Sequence, residues 1–167
     1  VRGMVSEPLR AADVLADWRA ETVQRLGAAG FSVDWQATEP PAGLLLPART
    51  QVQLTRVLRE AVSNLIRHSG GRHCRVVTGF PPEAMTLSVE DDGCGMPADQ
   101  AQRVFEPFYT TRRGQGGTGL GLYVCYQIAS TQLGGTLHCT STPGKGSLFE
   151  MCFDVQFVET PALTAQP

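Results

Sequence analysis

Residues 48–69 constrain the fold more than any other stretch, because Leu54, Val57, Leu58, Ala61, Leu65 and Ile66 recur there at intervals of three and four. That spacing is the period of an amphipathic helix with one buried face, and the face has to be covered by something else in the chain. The flanking segments offer a surface. FSVDWQA (31–37) sets Phe31, Val33, Trp35 and Ala37 on one side, the two-residue period of a half-buried strand. Residues 73–79 and 85–90 read as two strands joined by a turn at Pro81-Pro82, and 135–141 and 147–155 as two more joined by Thr-Pro-Gly-Lys-Gly. Helical spacing over 9–29, carried by Leu9, Ala12, Leu15, Ala16, Val23 and Leu26, stops at Gly30, and another helix is expected over 118–132. Hairpins and crossovers in one chain predict a two-layer α/β sandwich. Asp91 to Gly117 is expected to be irregular.

Composition narrows the function. The chain has 167 residues, 42% hydrophobic and 18% charged, which is enough for one domain with a real core and too apolar for disorder. A net charge of −2 builds in no general attraction to nucleic acid or to an anionic membrane, so neither is an expected partner, and a phosphate ligand has to be held by local groups. No run approaches the roughly 18 apolar residues of a membrane helix, and there is no basic-then-apolar leader. The five cysteines form no CxxC pair and are odd in number, which fits reduced thiols in the cytoplasm. The chain opens at Val1 in mid-pattern without an initiator Met, so it reads as a piece of a longer protein. The expected domain is 1–158, followed by a flexible tail over 159–167.

Three stretches carry chemistry. In REAVSNLIRHS the residues Glu60, Asn64, Arg67 and His68 fall in an arc of roughly 100° that borders the apolar stripe of the helix. The oxygens of Glu60 and Asn64 suit a hard cation such as magnesium, although polar groups four apart also occur on plain solvated helix flanks. Asp91-Asp92-Gly93-Cys94-Gly95 follows a strand, where it either builds a turn or lets a flat ligand approach a carboxylate. Gly114-Gln115-Gly116-Gly117-Thr118-Gly119-Leu120-Gly121 runs into a helix, where exposed N–H groups and the helix dipole favour anions. It is neither a P-loop nor a dinucleotide fingerprint. Arg112 and Arg113, at the tip of the preceding segment, can pair with phosphate.

In this order the three stretches resemble the GHKL ATPase superfamily, and more narrowly the ATP-binding catalytic domain of two-component sensor histidine kinases. Glu60 to His68 is similar to the N box, Asp91 to Gly95 to the first glycine box, and Gly117 to Leu122 to the second. FEPFYTT (105–111) resembles the kinase F box, and PGKGSLFEMCF the closing strand, so the likeness covers about residues 50–155. It implies a mixed sheet on three main helices, with ATP between the layers under a mobile lid over about 97–118.

The resemblance also implies roles. Asp91 accepts from the adenine amino group with Ser147 in support, and Gly93 and Gly95 shape the pocket. Asn64 holds a magnesium ion that bridges the phosphates. Arg67 and His68 touch the phosphates, while Gly117, Thr118, Gly119, Leu120 and Gly121 close over them. Phe105 and Phe108 anchor the lid. Glu60, where many members carry Asn, is either a general base or a second magnesium neighbour. The implied activity is protein-histidine kinase, with the γ-phosphoryl group passing to a histidine on an upstream dimerisation domain and on to a response regulator. None of His68, His73 and His138 suits the acceptor role, so the acceptor is expected outside this chain, in a homodimeric parent whose membrane topology the sequence leaves open. A free-standing GHKL ATPase or anti-sigma-type serine kinase is the alternative.

Overall fold

The computed structural model describes residues 6–155, so the expected tail at 159–167 lies outside the described residues. Its main sheet contains five strands: β2 (Ser32–Ala37), β4 (His73–Gly79), β5 (Ala84–Asp91), β6 (Thr136–Thr142) and β7 (Gly146–Asp154). They lie in the order β2-β4-β5-β7-β6, with β2 parallel to β4 and every other neighbour antiparallel. The sheet is therefore mixed, as expected. A small antiparallel pair, β1 (Leu9–Arg10) with β3 (Leu45–Leu46), stands apart from it. Two-residue strands leave no period in a sequence, so neither is legible there.

Burial alternates along the strands. Cys74, Val76 and Thr78 of β4, Met85, Leu87 and Val89 of β5, and Met151 and Phe153 of β7 are buried, while Arg75, Glu90, Glu150 and Cys152 between them are exposed. One face is thus apolar and covered and the other faces water, the signature of a two-layer fold. The cover consists of α1 (Ala11–Ala28), α2 (Ala48–Asn64) and α4 (Gly121–Gln127), whose inward residues join the strands in one core.

α1 starts two residues later than its spacing suggests, and its buried stripe is Ala11, Val14, Leu15, Trp18, Thr22 and Leu26. Leu9 and Val23, expected inside, are exposed. Trp18 and Thr22 take the inward positions because the Trp18 ring N–H donates to Thr55 Oγ1 of α2 at 2.8 Å, so a polar tip is satisfied inside the layer. On the outer edge Arg59 of α2 binds Glu21 of α1 in a fork of 2.7 and 2.9 Å.

The helix expected over 48–69 and that over 118–132 both change geometry. α2 is regular to Asn64 and then widens into a π-helical turn, Leu65–Ser69. α4 begins only at Gly121 and ends in a similar turn, Ile128–Gln132. Such turns re-aim side chains, so the arc computed for an ideal helix does not hold beyond Asn64. The segment expected to be irregular contains one short helix, α3 (Ala98–Arg103), which follows Pro97 and has no buried residue, hence no apolar period to betray it.

Phe153, 2% exposed, is among the largest fully buried side chains. Phe153→Ala is expected to lower the unfolding free energy by about 3–5 kcal/mol, measured as a drop in the urea midpoint. Glu150→Ala, on the open face of the same strand, should move it by less than about 0.5 kcal/mol.

Candidate functional site

The site lies between the helices and the end of the sheet where β5 finishes. The alternation that buries Met85, Leu87 and Val89 also carries Asp91 inward, while Asp92 turns out to solvent. The two adjacent carboxylates therefore do different work. Asp92 Oδ1 accepts from the backbone N–H groups of His73 (2.8 Å) and Arg72 (2.9 Å), which pins the entry to β4 and holds its pKa below the usual carboxylate range. Asp91 Oδ1 accepts from Gly93 N–H at 2.8 Å. Burial nevertheless pushes the Asp91 pKa up, against the lowering bonds from the Gly93 and Ser147 backbones.

Asp91 and Ser147 face a mostly apolar cavity of about 600 Å³, mouth included, walled by Ala61, Leu65, Val89 and Phe149. A second, wider and more polar compartment of about 1110 Å³ adjoins it, lined by Glu60, Arg67, Arg112 and the loop from Gly116 to Gly121. Asn64, His68, Gly95 and Met96 border both, so the two are parts of one cleft. A flat apolar group with one polar edge suits the inner part, and an anionic chain suits the outer part.

Two details sharpen that division. The side-chain nitrogen of Asn64 is buried without a hydrogen-bond partner, one of two such side-chain atoms among the described residues. An orphaned buried amide is costly unless something outside the protein completes it. His68 is held below its ordinary pKa by partial burial first and then by the guanidinium charges of Arg112 and Arg67, which favours its neutral form.

Backbone geometry sets the walls. Gly95 has φ 61°, and a Cβ there would run into the Thr142 carbonyl, so only glycine lets β5 turn under the β6–β7 hairpin. A Cβ on Gly121 would strike the Glu60 carboxylate, which therefore rests against the first turn of α4. Glu60 thereby meets the partial positive charge of a helix N-terminus.

Of the residues singled out from sequence, Glu60, Asn64, Arg67, His68, Asp91, Gly95, Arg112, Gly117, Thr118, Gly119, Gly121 and Ser147 border the cleft. Gly93, Phe105, Arg113 and Leu120 do not line it. Gly93 acts behind Asp91 through its N–H. Phe105 packs against Tyr126 (ring centroids 5.6 Å apart) and Phe149 (6.3 Å), the latter a wall of the inner cavity. Arg113 donates to the Phe108 carbonyl at 3.2 Å, a contact within the loop. Phe108, expected as a second anchor, is 62% exposed with φ 61°, so its ring is not packed into the core among the described residues.

Cys94, Met96, Gln100 and Tyr109 also border the cleft and escaped sequence reasoning. They belong to the segment without periodicity, where only the folded loop shows which way each points. Among the described residues no three His, Cys, Asp or Glu converge as a metal site. The five thiols are free, and burial pushes Cys74 and Cys125 up to about 12 and Cys139 up to about 11. No described helix is long and apolar enough to cross a membrane.

Comparison with known proteins agrees with this geometry. Residues 49–156 match the family described as histidine kinase-, DNA gyrase B-, and HSP90-like ATPase. The chain is 36% identical over 106 residues to the alginate biosynthesis sensor protein KinB of Pseudomonas aeruginosa, a match covering 63% of this chain and 18% of KinB. It spans less than a quarter of the length of such curated relatives. Among solved structures, the catalytic domain of histidine kinase ThkA superposes with a TM-score of 0.73 at 18% identity, over 89% of this chain and 95% of that one. Full-length ShkA in complex with AMPPNP superposes with a TM-score of 0.72 at 20% identity, over 91% of this chain and 32% of ShkA. The chain belongs to the histidine kinase-, DNA gyrase B- and HSP90-like ATPase family, as an ATPase catalytic domain of the sensor histidine kinase kind.

Proposed function

We propose that this chain binds Mg·ATP and presents the γ-phosphoryl group to a histidine on a dimerisation domain of a longer, homodimeric cytoplasmic kinase, which in turn serves a response regulator. The observation that carries the reading is the cleft itself: an apolar compartment ending in one buried carboxylate, joined to a compartment with two guanidinium groups, an imidazole and a glycine loop. ShkA was solved with a non-hydrolysable ATP analogue, which supports the choice of nucleotide.

In this reading the inner compartment takes adenine, with Asp91 accepting from its amino group. Arg67, Arg112 and His68 face the phosphates, while the backbone from Gly117 to Gly121 closes over them. Gly93 and Phe105 act from behind, as supports of Asp91 and of the loop. Glu60 is the one carboxylate that lines the outer compartment and Asn64 the amide four residues on, a pair too few for a bare magnesium ion but suited to one that keeps water and phosphate oxygens. Bound so, magnesium supplies charge neutralisation across the phosphates. Glu60, held against α4, is placed to accept a proton from the incoming nucleophile.

Three outcomes test this. Isolated chain saturated with Mg·ATP should release almost no phosphate, and transfer to histidine should begin when the dimerisation domain is added and fall at least about a hundredfold in Glu60→Ala. Sustained phosphate release by the isolated chain, abolished by the same substitution, would identify a free-standing ATPase instead.

Asp91→Asn separates function from stability. With its pKa raised above 3.8 by burial, folded Asp91 keeps a proton that the unfolded chain has released, so stability falls as pH rises through that window, and the charge remains a cost above it. At pH 7.5 the Asn variant should show a urea midpoint at or above that of the parent. Calorimetry should nevertheless show ATP affinity at least about fivefold weaker, the scale of a lost charged hydrogen bond.

His68 gives a pH signature. Its lowered pKa in the free protein rises when phosphates arrive, so the complex holds more protons, and affinity falls as pH climbs through the ordinary histidine range. Titrations in buffers of different ionisation heat should show proton uptake beyond that of ATP itself, and His68→Asn should remove the excess.

A further inference from the structure

Three hydrogen bonds converge on one hydroxyl that lies outside the cleft. Ser141 Oγ of β6 is 2.7 Å from the backbone nitrogen of Met96, 3.0 Å from the Gly146 carbonyl oxygen and 2.8 Å from Ser147 Oγ. A serine hydroxyl has a single proton and two lone pairs. The Met96 N–H donates to it, and the Gly146 carbonyl can only accept, so the Ser141 proton goes to Gly146. The contact with Ser147 is then satisfied only if Ser147 donates. Its proton is taken, and the Ser147 hydroxyl turns lone pairs alone toward the cavity that it lines.

Asp91 ends the neighbouring strand, and its ionised carboxylate is an acceptor too, already receiving the Gly93 and Ser147 backbone N–H groups. Asp91 and Ser147 together therefore offer the bound base acceptors and no hydroxyl donor. The amino group of adenine brings two N–H donors to such a pair. A 6-oxo purine would set an oxygen at that position and move its donor to the ring nitrogen beside it, leaving three acceptors facing one another at the six-position in a buried place, where unpaired polar groups are expensive.

We propose that Ser141 is a positioning residue that sets base specificity: by consuming the Ser147 proton it makes the pocket require an amino group at the purine six-position. The proposal rests on the nucleotide reading above and adds a residue that touches no ligand. Its register opposite Ser147 in the β6–β7 hairpin is what gives it the role.

The test is the ratio of dissociation constants for ATP and inosine triphosphate, measured by competition on the intact chain. Ser141→Ala frees the Ser147 proton to meet a 6-oxo group, so the preference for ATP should narrow about tenfold, mainly through tighter inosine triphosphate binding. Ser141→Thr, which keeps the hydroxyl, should retain the parent ratio. Ser147→Ala should narrow the ratio by itself, and adding Ser141→Ala to it should change nothing further. If Ser141→Ala loses its cooperative urea transition, Ser141→Cys, which keeps the volume but is a poor acceptor, takes its place and should narrow the ratio in the same direction. Equal weakening of both nucleotides in Ser141→Ala would mean that Ser141 only braces Met96, and an unchanged ratio would overturn the assignment while leaving ATP binding intact. A parent chain that binds neither nucleotide would overturn the nucleotide reading, and this one with it.

Discussion

The two-residue period of β5 carries Asp91 onto the same face as Met85, Leu87 and Val89, so a row of apolar side chains ends in a carboxylate. Nothing in the register allows it to turn away, because a one-residue slip would expose the whole row. The remainder of the site is arranged around that constraint. Gly93 supplies an N–H from behind, Gly95 lets the backbone pass under the Thr142 carbonyl, and the β6–β7 hairpin brings Ser147 alongside. The raised pKa of Asp91 records what this costs the empty protein. A buried acceptor kept at such a cost is what a selective pocket needs, since only a ligand with the right donor relieves it.

Charge is handled as locally as polarity. The chain as a whole is slightly acidic, at −2, yet Arg67, Arg112 and His68 gather where the outer compartment opens. Partial burial and the guanidinium charges together hold the His68 pKa below its ordinary value, so the positive charge there rests on the two arginines. Glu60 is kept beside these groups by the first turn of α4, against Gly121, where any side chain would displace it. The π-helical turn after Asn64 matters here as well, because it changes where Arg67 and His68 point without breaking the helix that buries Leu65.

The walls and the covering loop have different physical characters. Asp91, Asn64 and Ser147 stand on strands and a helix that are part of a single core, whereas the loop from Thr110 to Gly119 is largely exposed and held by few bonds. Phe105, stacked in the core's edge, marks where the rigid part ends. Such a division suits a site that must keep a base in register while letting a phosphate chain enter and leave.

Much of this was legible in the sequence, for a definite reason. Long elements with a clear period (α2, β4, β5, the β6–β7 hairpin) declare themselves through the spacing of Leu54, Val57 and Leu58 or of Met85, Leu87 and Val89, and the ordered motifs around Asn64, Asp91 and Gly119 name the family. Short or irregular pieces have no period: β1, β3, α3 and the π-helical turns came only from the structure. The same limit applied within the site. Sequence placed Arg112 and Arg113 side by side but could not assign one to the cleft and the other to the Phe108 carbonyl. It picked Asp91 over Asp92 only through the family likeness, and it left Ser141 unremarked, since the direction of a hydrogen bond depends on strand register and on counting protons across three chain segments. Periodicity and motif order are properties of the chain and survive in one dimension. Side-chain direction, burial and shared protons are properties of contacts between distant residues, and only the folded layers decide them.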